Sequence, residues 1–193
     1  MYKIFKKETL QALVVTPLMV ATLSFGSFDT THLPSVISFN TEKQNTEEVA
    51  VLTEKANILQ KQADLIDSYF KDHNMRLAGF GMKMAKVADN NGLDYRLIPA
   101  IAVRESTGGN NMCRLKKNNP FGWGSCKIGF KTMDEAIEII GHNLGGNNPN
   151  TTSYYDEKDV EGILKAYNPP KIVPAYARQV MKIMENIGDE NIT

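Results

Sequence analysis

The sequence predicts a mainly α-helical protein, on three observations. Apolar residues recur every three or four positions in successive segments between Leu52 and Ile187. Helix start and stop signals bracket several of them, among them Thr132 with Glu135, Gly92, Gly145 and Pro169–Pro170. Strand-type alternation is absent. At most a short hairpin fits between Phe121 and Phe130, where Gly122, Gly124 and Gly129 permit tight turns.

Taken in order, residues 1–28 place Lys3, Lys6 and Lys7 before an uncharged stretch from Leu10 to Phe28. This reads as a signal peptide or a membrane anchor. The stretch approaches the ~20 residues a spanning helix needs and exceeds the usual signal core of about 7–15. An uncleaved anchor with its Lys-rich end inside is slightly favoured, although Ser24 and Gly26 are small enough for cleavage. The chain is therefore expected to be exported, either anchored and facing outward or secreted.

Residues 29–46 are polar, contain Pro34 and lack periodicity, so they read as a linker. Residues 47–70 read as an amphipathic helix. Leu52, Ala56, Leu59, Ala63, Ile66 and Phe70 form a heptad seam. Two roles fit equally: a helix docked on the domain, or a stalk that self-associates through residues 52–70. A compact domain is expected over residues 66–187. Its helices cover about 81–89, 95–105 with Asp94 as N-cap, a segment opening at Thr132, a segment bearing Val160, Ile163, Leu164 and Tyr167, and a last one bearing Tyr176, Val180, Ile183 and Ile187.

Composition narrows the chemistry. The 22 Lys and Arg residues equal the 22 Asp and Glu, so net charge gives no basis for a nucleic-acid partner. His32, His73 and His142 stand at no metal-ligand spacing, and no zinc motif, P-loop or dinucleotide fingerprint occurs. Neither a metal nor a cofactor is expected. "GHNLGGNN" (141–148) is glycine-rich but follows no predicted strand, so it reads as a helix end and loop. In an exported chain the two cysteines, Cys113 and Cys126, are expected to form a disulfide worth roughly 3 kcal/mol. The alternative is two free thiols in a cytosolic protein, and the N-terminus argues against it.

One residue breaks the pattern. Leu97, Ile101 and Glu105 fall on one helical stripe, so this carboxyl points toward the core or a cleft beside it. Desolvation and the negative end of the helix dipole both favour the protonated carboxyl that a general acid requires. The bland reading pairs Glu105 with Arg104 or Arg96. Ser106, Thr107, Gly108 and Gly109 then end the helix, and a loop carrying the only Trp runs between Cys113 and Cys126. Rigid aromatic rings and amides suit a carbohydrate site. Alone, Trp123 is more often a core residue.

"LIPAIAVRESTGG", "NNPFGWG" and "FKTMDEAIEIIGHNL" together resemble the lysozyme-like peptidoglycan hydrolases, namely the soluble lytic transglycosylase and bacterial endo-β-N-acetylglucosaminidase families. The resemblance covers about residues 66–187. It rests on Glu105–Ser106, on the loop residues Asn118, Asn119, Phe121 and Gly122, and on Phe130, Ala136 and Ile137. It implies a lysozyme-like helical domain with a loop or hairpin at a glycan cleft, no metal, and peptidoglycan glycan strands as partner. It implies Glu105 as acid/base, with Ser106, Asn119 and Phe121 in its motifs and Tyr167 and Tyr176 as matches to its cleft tyrosines; Trp123, Tyr154 and Tyr155 are further candidates at the substrate. Ser106 is better explained as a helix-end hydrogen bonder than as a nucleophile, and Tyr167 lies on an apolar stripe.

Two departures matter. "NPFGWGSC" replaces the transglycosylase "G-L-M-Q" motif, so hydrolysis and 1,6-anhydro product formation both stay open. A second carboxylate is not evident. Asp134 and Glu135 suit a helix's first turn, whereas Asp156 and Glu157, beside Tyr154 and Tyr155, lie in a loop that could reach the cleft. The rival reading is a non-catalytic glycan-binding scaffold. Zero net charge predicts no electrostatic steering to an anionic wall.

Overall fold

The computed structural model describes residues 36–188, with side chains from residue 47. The expected signal or anchor at 1–28 lies outside the described residues. Seven α-helices follow in order: α1 (Val36–Asp72), α2 (Gly81–Asn90), α3 (Leu97–Ser106), α4 (Met133–Leu144), α5 (Thr152–Tyr155), α6 (Val160–Tyr167) and α7 (Tyr176–Ile187). A single 3-10 turn spans Trp123–Cys126. Among the described residues there is no strand, and no helix is long and apolar enough to cross a membrane.

α3 is the centre. Leu97, Ile98, Pro99, Ala100, Ile101 and Ala102 are all buried, so the helix is apolar around its circumference and other elements surround it. It packs on α7, α2 and α4. It starts at Leu97, two residues after Tyr95 and one before Ile98, where the missing N–H of Pro99 would let the regular helix begin. Asp94 does not cap it. Instead the Asp94 carboxylate accepts from the backbone N–H of Arg96 (2.9 Å) and from its guanidinium, at 2.9 Å and 2.5 Å. The buried Arg96 also donates to Gly188 O (3.3 Å), tying the start of α3 to the end of α7.

α1 is about 55 Å long at 1.5 Å per residue. Its seam divides in two. Ala63, Ile66 and Phe70 are buried in the core, whereas Leu52 and Ala56 are exposed and Leu59 is half-buried. Docking on the domain therefore describes the C-terminal half alone. The helix already begins at Val36, so residues 36–46, expected as linker, are helical. Low hydrophobicity over residues 36–46, about three turns, hid that part of the helix from a reading based on periodicity. The Cβ of a side chain at Gly81 would lie 2.3 Å from Ala63 O, so α1 and α2 approach only because of the glycine. Asp67 on α1 accepts from the N–H groups of Gly79 (2.7 Å) and Gly81 (2.9 Å), satisfying donors at the start of α2.

α4 opens as expected. Thr132 Oγ1 accepts from Glu135 N–H (3.0 Å), and the Glu135 carboxylate accepts from Lys131 N–H, one residue before the cap. Asp159 caps α6 through Gly162 N–H (2.7 Å). On α7, Tyr176, Val180, Met184 and Ile187 are buried, while Ile183 is only half-buried.

Candidate active site

Glu105 occupies the last turn of α3, half-buried. The helix stops sharply behind it. Thr107 adopts the left-handed conformation (φ 53, ψ 53), its N–H donates to Val103 O (2.9 Å), and Gly108 N–H donates to Ala102 O (3.1 Å). Gly108 has φ +58, and a Cβ there would lie 2.4 Å from Met75 Sδ. Leu77 N–H donates to Gly108 O (3.0 Å), so the reversal is pinned to the α1–α2 link.

Ser106 is buried. Its hydroxyl donates to Pro120 O (2.7 Å) and accepts from Gly109 N–H (2.9 Å). It joins the helix end to the loop that follows and offers nothing to a ligand. The same correction applies to Asn119, which is fully buried. Its amide donates to Trp123 O and Ile128 O, both at 2.9 Å, and its oxygen accepts from Trp123 N–H (3.1 Å) and Phe121 N–H (3.3 Å). Asn118 donates to Phe130 O (3.1 Å) and Lys131 O (2.8 Å). A loop without strand pairing leaves buried backbone groups that side-chain amides must satisfy. Phe121 is also wholly buried, so it is core beneath the site rather than a groove wall.

Cys113 and Cys126 form the expected disulfide, with Cα atoms 5.4 Å apart. Gly122 (φ +63) brings the loop against the glutamate: a Cβ there would lie 2.9 Å from Glu105 Oε2. Oε1 faces the other way and accepts from the Tyr176 hydroxyl at 2.7 Å.

Aromatic rings extend from that hydrogen bond. Tyr176 stacks on Tyr167 (centroids 6.0 Å, interplanar 10°). Trp123 lies 5.7 Å from Tyr167 and 6.4 Å from Tyr155, and Tyr154 lies 6.5 Å from Tyr155. Tyr155 and Tyr176 are buried, Trp123 and Tyr167 are half-buried, and Tyr154 is exposed. The Tyr167 hydroxyl donates to Phe121 O (2.5 Å), which holds the loop and uses its one proton. The faces left for a ligand belong chiefly to Trp123 and Tyr154.

Burial raises the pKa of Tyr176 and of Tyr167 well above the phenolic range, and the nearby Glu105 charge adds to the rise in both. Tyr155 is pushed up to about 12, by burial first and then by Tyr154. The ion-pair alternative for Glu105 does not hold. Arg96 is taken by Asp94, and Arg104 donates to Gln179 (2.9 Å) while its guanidinium lies 5.6 Å from the Tyr176 ring centroid. Asp134 and Glu135 occupy the first turn of α4, and Asp156 ends α5. Glu105 is the one carboxylate acting on the Tyr167 and Tyr176 hydroxyls.

Gly122 and Tyr176 gain most from the structure. Gly122 belongs to the loop residues that carry the resemblance, and its approach to Oε2 distinguishes it from Gly124, which shares its φ of +63. Tyr176 reads as the first apolar position of α7 and as a match to the resembled family's cleft tyrosines, and the structure adds its hydrogen bond to Glu105. Compared with known proteins, the chain matches no family model, no curated protein and no solved structure.

Proposed function

We propose that this protein cleaves the β-1,4 glycan strands of peptidoglycan, with Glu105 as general acid and then general base. The observation that carries the reading is the half-buried Glu105 carboxyl, held by Tyr176 on Oε1 and faced by Gly122 at Oε2, at the end of an aromatic row that reaches the surface at Trp123 and Tyr154. Because Oε1 accepts from Tyr176, a proton on the carboxyl belongs on Oε2. From there it passes to the glycosidic oxygen as that bond breaks. Among the described residues Glu105 is the one carboxylate acting on the Tyr167 and Tyr176 hydroxyls, so the attacking group in this reading is the substrate's own 2-acetamido oxygen, which bonds to the anomeric carbon. Glu105, now ionised, takes a proton from water or from the sugar's 6-hydroxyl; that oxygen bonds to the anomeric carbon as the bond to the acetamido oxygen breaks, which gives hydrolysis in the first case and the 1,6-anhydro product in the second.

The resemblance to lysozyme-like hydrolases supports this reading, with residues 66–187 as the catalytic domain. The disulfide supports an exported site, outside the cytoplasm, where the wall is found. The test is release of soluble fragments from purified peptidoglycan, identified by mass spectrometry. Fragments with reducing or anhydro ends, absent with Glu105→Gln, support the enzyme. Tight wall binding with no fragments from the native protein would instead make this a glycan-binding scaffold.

A further inference from the structure

A net charge of zero conceals a local asymmetry. Between Cys113 and Lys131 the chain carries Arg114, Lys116, Lys117, Lys127 and Lys131 and no acid, balanced by a net −5 over the rest. All five cations are exposed. The fold sets their two runs side by side. Phe130 N–H donates to Lys117 O (3.0 Å), and Asn118 bridges to the carbonyls of Phe130 and Lys131. At Gly129 a Cβ would come within 3.2 Å of Lys117 O, so only a glycine admits this approach without displacement. The buried Asn119 donates to the carbonyls of both Ile128 and Trp123, which holds the run 127–129 beside Trp123. Among the described residues none of the five has an ion-pair partner within 4.0 Å. Like charges held together without counter-charges repel, and a bound anion relieves that cost.

We propose that this disulfide-closed loop is an anion-binding surface for the carboxylates borne on the peptide side chains of the wall polymer. The choice of ligand rests on the function proposed above. Four of the five cations are lysines, which act as separate point charges rather than as bidentate forks. They spread over two runs instead of converging on one pocket. That arrangement suits single carboxylates repeated along a polymer whose glycan lies on Trp123. A net charge of zero over the chain leaves room for steering by this local surface.

The test measures binding in the Glu105→Gln protein, so its outcome does not depend on cleavage. The probe is purified peptidoglycan freed of phosphate-bearing polymers. Replacing Arg114, Lys116, Lys117 and Lys127 together by Gln should weaken binding roughly tenfold. Raising salt from about 0.05 to 0.5 M should weaken the parent similarly and the variant little. Unchanged melting and no free thiol show that the variant is folded. Equal, salt-insensitive binding by both proteins would overturn the proposal. So would binding that disappears with the phosphate polymers. Leu115 is 89% exposed within the patch, so vesicles containing phosphatidylglycerol form the remaining arm. Vesicle binding lost in both the Gln variant and Leu115→Ser, with wall binding intact in each, would assign the surface to lipid and overturn the carboxylate reading.

Discussion

The Tyr176 hydroxyl donates to Oε1 of Glu105 at 2.7 Å, joining the first residue of α7 to the last turn of α3. The bond fixes which carboxyl oxygen is free and aims it at Gly122. Tyr176 is itself held by the Tyr167 stack and the Arg104 guanidinium above its ring.

Tyr176→Phe keeps that packing and removes the hydrogen bond. Such a bond to a charged group is worth about 1.5–3 kcal/mol. Turnover of peptidoglycan should fall by about 10- to 100-fold, and the pH–rate profile should move. Thermal unfolding should change by only a few degrees. Steady-state assays across pH check this, and unaltered turnover would leave Tyr176 a core residue only.

Gly122→Ala should be more damaging to activity than to fold. The backbone there has φ +63, which costs a non-glycine residue roughly 1–2 kcal/mol. The added Cβ would also sit 2.9 Å from Oε2 and displace the carboxyl. Activity should fall at least about tenfold while the circular dichroism spectrum is retained.

Alkaline pH should destabilise the domain through its buried tyrosines. Tyr155, Tyr167 and Tyr176 keep their protons to higher pH when folded than the usual phenol value of about 10. Above about pH 10 the unfolded chain has lost protons that the folded chain retains. The stabilisation is thus complete below about 10 and is lost as pH rises through the folded values, by up to about 1.4 kcal/mol per pH unit for each fully buried hydroxyl. Ultraviolet titration of tyrosinate, followed beside unfolding, should show these residues ionising only with loss of structure.

Reduction of the Cys113–Cys126 disulfide should lower activity more than helicity. The loop has no strand and relies on the bridge, on the Asn118 and Asn119 side chains and on the Tyr167 hydroxyl. The helices keep their own buried faces. Thiol titration of denatured protein should find none before reduction and two after it.

Much of this was legible because it depends on near neighbours in sequence. The Thr132 cap, the apolar α4 stripe and the unbroken apolar run of α3 are local patterns. The placement of Glu105 follows from the period of α3 alone. What escaped depends on distant partners. Phe121 and Trp123 are two residues apart in one loop, yet Phe121 is buried and Trp123 is half-exposed. Asn119 belongs to a glycan-like motif, but four hydrogen bonds commit it to the loop backbone. The Arg96–Asp94 pair consumed the residue expected as N-cap. None of these choices carries a periodic signal.

The central claim is that Glu105 performs the chemistry. Glu105→Gln is nearly isosteric, and its amide oxygen can still accept from Tyr176, so melting should match the native protein. Incubated with purified peptidoglycan, the native chain should release glycan fragments with reducing or anhydro ends, and the variant should release fewer by at least about a thousandfold. Equal fragment release by both proteins would contradict the assignment of Glu105 as the catalytic acid.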